Sequence, residues 1–204
     1  LTMISNGGTS SAAPGVGDIT TVVGGYVGDG GPATEAGLAH PLDVAVDPSG
    51  DILIADSANS RIRRVDAATG IVTTVAGNGA RGFSGDGSLA TNASLADPTG
   101  LVVDGEGNLF IADTSNHRVR RVDAATGMIE TVAGNGVAGF SGDGVSATST
   151  SLSSPPGVAF DGQGNLFIAD AGNQRIRRVT ATGTISTIAG NGTPGFSGDG
   201  GPAT

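Results

Sequence analysis

The 204-residue sequence has no cysteine, no lysine and no tryptophan, and only two histidines. Without cysteine there are no disulfides, no thiolate metal sites and no cysteine nucleophile. That absence is compatible with secretion. Without lysine, all ten basic residues are arginine, set against nineteen acidic ones for a net charge of −9. Such a balance argues against sequence-independent binding to nucleic acid or anionic lipid, which needs exposed positive charge. His40 and His117 are too few for a multi-histidine zinc site within one chain. No apolar run approaches the ~20 residues of a membrane-crossing helix, so no membrane insertion by helices is expected. There is no Gly-x-Ser-x-Gly elbow and no Ser/His/Asp trio to single out.

Glycine, in contrast, is abundant at 37 residues, with nine prolines. The apolar residues nevertheless form short, ordered runs of strand-forming types, so disorder is a poor reading of most of the chain. Between these runs lie blocks of Gly, Asn, Asp and Ser, the chemistry of turns. One stretch occurs three times: GDILIADSANSRIRRV from Gly50, GNLFIADTSNHRVRRV from Gly107 and GNLFIADAGNQRIRRV from Gly164. Its aspartates Asp56, Asp113 and Asp170 are 57 residues apart each time. A fixed period of this length signals a repeat architecture.

Each unit reads as four short strands. The first is an apolar run such as Val44-Ala45-Val46 and the second a Leu-Phe-Ile-Ala type run. The third is Arg-Ile-Arg-Arg-Val, and the fourth a threonine-bearing run such as Ile71–Val75. A longer connection follows, marked GFSGDG at Gly82, Gly139 and Gly195 and GYVGDG at Gly25. The first two strands are apolar throughout, which implies cover on both sheet faces. In the third, Ile62 and Val65 fall on opposite faces, because strand side chains alternate. The fourth suits an outer edge. Radially stacked four-stranded antiparallel sheets make a β-propeller, and no 3.6-residue period points to a helical solenoid.

The Pro-x-Gly-Val-Ala-x-Asp-x-x-Gly-Asn-Leu-Phe-Ile-Ala-Asp-x-x-Asn-x-Arg-Ile-Arg pattern, clearest from Pro155 to Arg177, resembles the NHL repeat family. The GFSGDG connection looks like the longer bacterial version. The resemblance implies an all-β propeller, often six-bladed, used mostly as a binding platform. The expected organisation is a Gly/Ser/Ala-rich linker over 1–17 and a propeller segment over 18–204, with blades at about 41–77, 98–134 and 155–190. An extra fourth-type strand is expected at Ile19–Val23. Three blades are too few to close a ring. Two copies could supply six about a two-fold axis, or the chain could be a window on a longer array, as its start at Leu1 suggests.

The candidate contact residues follow from the recurring polar groups. Asp56 and Asn59, Asp113 and Asn116, and Asp170 and Asn173 share one turn. Asp86 and Asp143 belong to the Gly-Asp-Gly connections. Carboxylates in rings could bind Ca²⁺, a hard oxygen-seeking cation. Alternatively, they cap turn N–H groups and pair with the neighbouring arginines. Identical copies in every unit favour the structural role, with Phe83, Phe140 and Phe196 plugging between blades and the third-strand arginines solvated or salt-bridged. With the first strand innermost, both kinds of loop emerge on one face, the expected contact surface. The expectation is a non-enzymatic binding or scaffold module of a bacterial secreted, surface or periplasmic protein, with no catalytic residues and no obligate cofactor. Its ligand would be a protein or glycan, and a homodimer could close the ring. The alternative is a metal-dependent lyase or lactonase-type propeller. Against it stand Asp47, Asp104 and Asp161, which close the first strands with near-uniform ends where channel ligands should diverge.

Overall fold

In the computed structural model, residues 28–196 and 198–204 are described; the expected linker and the strand at Ile19–Val23 lie outside them. The first blade comprises β1 (Pro41–Val46), β2 (Ile52–Asp56), β3 (Arg61–Val65) and β4 (Val72–Ala76). A two-residue strand β5 (Ser88–Leu89) precedes the second blade, β6 (Pro98–Val103), β7 (Leu109–Asp113), β8 (Arg118–Val122) and β9 (Met128–Ala133). Likewise β10 (Val145–Ser146) precedes β11 (Gly157–Phe160), β12 (Leu166–Asp170), β13 (Arg175–Val179) and β14 (Thr184–Ala189). Every pairing between named strands is antiparallel.

The outer edges differ from the sequence expectation. In the second and third blades the threonine-bearing fourth strand is not outermost, since β5 pairs beyond β9 and β10 beyond β14. In the first blade a single bridge, Pro32 to Ile71, takes that place. Two residues are too few to carry an alternation signal. These edge segments belong to the connection arriving from the preceding blade, so each connection covers an otherwise open sheet edge and fastens two blades together.

Alternation along the strands explains the stacking. Leu53 and Ala55 of β2 meet Leu109 and Ile111 of β7, while Ile52 and Ile54 join Val65 and Val72 on the opposite face. In β7 the pattern repeats: Leu109 and Ile111 face the first blade, and Phe110 faces the third. Ile62 and Val65 do pack into different clusters, as do Val119 and Val122. Phe110 and Phe160 meet edge to face across the second junction, their ring centroids 4.6 Å apart, a favoured aromatic geometry.

The first strands sit innermost and close together. The Leu101 N–H donates to Asp43 Oδ2 at 2.8 Å, linking β1 to β6. Gly100 has no side chain because β11 leaves no room: a Cβ there would lie 2.7 Å from the Pro156 carbonyl oxygen.

Among the described residues, one face of the first blade and one of the third have no blade against them. Val44 is 61% exposed, whereas its equivalent Leu101 is 6% exposed. At the other end Ile176 is 38% exposed, against 0% for Val119. Leu42 and Val46 are also exposed on the first blade. The same sequence position is therefore core or surface according to whether another blade lies against it.

Candidate functional site

The eight candidate residues gather at the loop end of the blades, but three of them point inward. Asp56, Asp113 and Asp170 end the second strands and are fully buried. Each carboxylate accepts the N–H of the residue that leads into the first strand, Ala39, Ala96 or Ser153, at 2.7 Å. Each also accepts the side-chain amide of Asn59, Asn116 or Asn173 from the following single-turn helix. Behind them lie the middle arginines of the third strands: Arg120 Nη1 is 3.4 Å from Asp113 Oδ2, and Arg177 Nη1 is 3.3 Å from Asp170 Oδ2. Burial pushes the Asp113 carboxyl up, while the Ala96 N–H, the Asn116 amide and the Arg120 charge hold it down. A buried charge persists only when paired and hydrogen-bonded in this way.

The same arginines reach the incoming connection. Arg63, Arg120 and Arg177 pair with Asp29, Asp86 and Asp143 through Nη2. Those three carboxylates also accept the hydroxyls of Thr74, Thr131 and Thr187. Thus Asp86 and Asp143 are half-exposed, but their charge is already matched. The expected alternative of solvated third-strand arginines is corrected at these positions: Arg63, Arg120 and Arg177 are buried. Their reach is set by geometry, since each occupies the face of the third strand that looks back to the preceding connection. Among the described residues, no group of three or more His, Cys, Asp or Glu side chains converges as a metal site would.

Phe83 and Phe140 do not plug between blades. They lie on the arginine face of the next blade. The Phe83 ring has the Arg118 guanidinium 3.7 Å from its centroid and that of Arg120 at 4.8 Å. Phe140 stands in the same relation to Arg175 and Arg177, at 4.0 and 4.8 Å. Such contacts stabilise by about 0.5–2 kcal/mol depending on desolvation. Phe196 is 90% exposed, against 42% for Phe83. The outer arginines Arg61, Arg118 and Arg175 donate to backbone carbonyls, those of Asn59 and Asn78 for Arg61 and their counterparts in the other blades.

The two histidines serve the backbone. His117 takes the left-handed conformation that ends the turn between second and third strands, and His40 takes it just before the first strand. His117 Nδ1 also accepts the Ser154 N–H at 3.1 Å, a link to the third blade. The buried arginine–aspartate–threonine links were missed in the sequence reading. A signal existed: each connection aspartate precedes its arginine by 34 residues, in all three copies.

The family follows from the repeat. An NHL repeat model matches residues 38–65, and a Teneurin NHL domain model matches residues 79–141 and 136–194, more than half the chain. The chain belongs to the NHL repeat family. Among NHL-type relatives, the chain is 31% identical over 149 residues to protein SUPPRESSOR OF QUENCHING 1, chloroplastic, of Arabidopsis thaliana. That match covers 70% of the chain and 14% of the plant protein. It is 36% identical over 179 residues to Teneurin-4 of Mus musculus, covering 80% of the chain and 6% of the relative. The chain therefore spans a small part of these proteins. In solved structures, the NHL stack is similar to a protein of unknown function from Bacteroides thetaiotaomicron (TM-score 0.60, 23% identity, 82% of this chain and 38% of that one). It is also similar to an auxiliary nutrient binding protein from Bacteroides ovatus (TM-score 0.58, 20% identity, 76% and 37%). A streptogramin B lyase aligns at a TM-score of 0.51 with 17% identity, over 74% of this chain and 40% of the lyase. These likenesses establish the propeller fold.

Proposed function

We propose that this NHL segment is a non-enzymatic binding or scaffold module whose open blade faces are closed by a second copy, giving a six-bladed ring. The observation that carries the reading is the pair of uncovered faces. Val44 and Ile176 occupy positions that are core in the second blade, so the two ends carry the two halves of an interface that the chain already makes twice internally. Exposed apolar faces of this kind mark association surfaces.

The fold is shared by a nutrient-binding protein and a lyase, so it does not select between binding and catalysis. The repeat does favour one of them. The polar groups of the loop face recur in all three blades and are spent on one another, which suits a scaffold. The exposed remainder, Phe83 with Asp86 and Phe140 with Asp143, presents the same aromatic and acidic pair once per junction. Repeated weak contacts of this sort gain affinity through avidity, and a protein or glycan with a matching repeat is the ligand class that fits. Bacterial origin and a secreted, surface or periplasmic location complete the proposal. Among the described residues, no helix is long and apolar enough to cross a membrane.

Closing the ring asks one segment to yield. The first blade already carries residues 28–34 on its outer edge, with Gly30 N–H donating to the Val72 carbonyl. The C-terminal GFSGDGGPAT repeats that segment nearly residue for residue, so an incoming copy competes for the same edge. Light scattering coupled to size exclusion tests the reading. A species of twice 19.7 kDa is expected; a monomer at every concentration would remove the second copy as the occupant of the open faces.

A further inference from the structure

We propose that the crevice between the first and second blades is a binding site for a small aliphatic carboxylate, one negative group on an apolar stem. This site lies at the end of the blades opposite the loop face and within a junction that the chain makes by itself. It is therefore independent of whether the ring closes.

The crevice has a volume of about 350 Å³, within the range of small-ligand cavities. Leu53 and Val75 of the first blade and Leu109 and Val122 of the second form its apolar walls. The equivalent crevice between the second and third blades has the same volume and the matching walls Phe110, Val132, Leu166 and Val179. It is thus a product of blade stacking. The two differ in their arginine.

In the second junction Arg121 is fully engaged, by Glu130 at 3.0 Å and Asp123 at 3.1 Å. In the first junction the equivalent Arg64 faces Thr73 across the strand pair, where Arg121 faces Glu130. Its one acidic neighbour within ion-pair range is Asp51, 3.5 Å from Nε. Among the described residues, that contact is made through Nε, which forms no hydrogen bond, and the two terminal nitrogens of Arg64 make no ion pair. A guanidinium offers two parallel donors that match the two oxygens of a carboxylate.

Other charges face or border the crevice, and most of their oxygens are committed, the second oxygen of Asp47 being the exception. Asp47 accepts the N–H groups of Ser49 and Asp51. Asp51 accepts the Ala67 N–H. Asp123 accepts from Arg121 and from Ala125 and Thr126. These acids would favour an alkylammonium over a carboxylate if their field outweighed the unpartnered fork of Arg64. The comparison between the two ligand charges is therefore the deciding one.

The test is an NMR titration of the intact 204-residue protein with hexanoate, hexanol and hexylammonium, reading the methyl signals of Leu109 and Val122. Hexanoate should bind saturably and at least ~10-fold more tightly than the other two, the value of one charge-assisted hydrogen-bond pair. Arg64→Gln, at a half-exposed position, should erase that preference, whereas Arg81→Gln, which breaks an exposed ion pair with Asp97 away from the crevice, should leave it intact. Equal binding of hexanol, stronger binding of hexylammonium, an unchanged preference in Arg64→Gln, or no saturable shift would each overturn the proposal.

Discussion

A methyl group added at position 134 would sit 2.2 Å from the His117 carbonyl oxygen, and Gly134 also holds φ at +88°. Both conditions repeat at Gly77 and Gly190, against Ser60 and Gln174. These glycines close the fourth strand beneath the left-handed residue of the adjacent turn, so the two turns fit only if one has no side chain. Gly134→Ala is expected to lower stability by ~3 kcal/mol, combining backbone strain and a clash with immobile backbone. Gly162→Ala, where an added Cβ meets nothing within 4 Å, should have little effect. Urea unfolding of both variants checks the pair. The sequence displayed these glycines as part of a repeat. The reason for each lay in an atom about 17 residues away and could not be seen there.

The turn between third and fourth strands shows how an element carries its own pH dependence. Asp123 accepts the hydroxyl and N–H of Thr126 and the N–H of Ala125, and these donors hold its carboxyl below the ordinary 3.8. Asp66 is held down by Thr69 in the same way. A carboxyl lowered by folding stabilises at any pH above its unfolded value, and that contribution is lost as pH falls through the folded value. Asp123→Asn should therefore melt at a lower temperature than the parent at about pH 7, with the gap narrowing at an acid pH below 3.8. A gap of constant size across thermal melts at both pH values would show that the charge plays no part.

At this scale the sequence was legible where residues alternate or mark a turn. The Leu-Phe-Ile-Ala strands and the Asp-x-x-Asn-x-Arg turns stand where their patterns put them. The edge strands β5 and β10 were not legible, because they are defined by a neighbour from another blade and not by their own two residues. The middle arginines are salt-bridged, one of the two expected states, but their burial was not legible for a related reason. An arginine is solvated by default, and only the convergence of Asp113, Asp86 and Thr131 from three different segments makes burial of Arg120 possible.

At the scale of the whole molecule, the described blades leave apolar positions uncovered on the first and third blades. Val44→Asp places a charge on the first blade at a residue that is 61% exposed among the described residues. It should leave the fold intact while driving the mass measured by light scattering from dimer to monomer. The equivalent change in the second blade, Leu101→Asp, buries the same charge inside a junction and should unfold that region, visible as a loss of cooperative melting. If Val44→Asp leaves the dimer mass unchanged, the contact between copies lies elsewhere.

The sequence alone determined the four-strand unit, the 57-residue period and the family, because each of these depends on residues within one repeat. Tertiary structure decided what the polar groups do. Asp86 and Arg120, or Phe83 and Arg118, lie more than thirty residues apart and belong to successive repeats. Their pairing depends on how one blade is laid against the next, and that packing sets the candidate aspartates in ion pairs that link separate segments. It also left Arg64, whose equivalent in the next blade is doubly paired, with a free fork above an apolar crevice. Thr73 stands there in place of glutamate. One exchange in a repeat reads as noise along the chain, and acquires a meaning only when the strand register sets it beside an arginine.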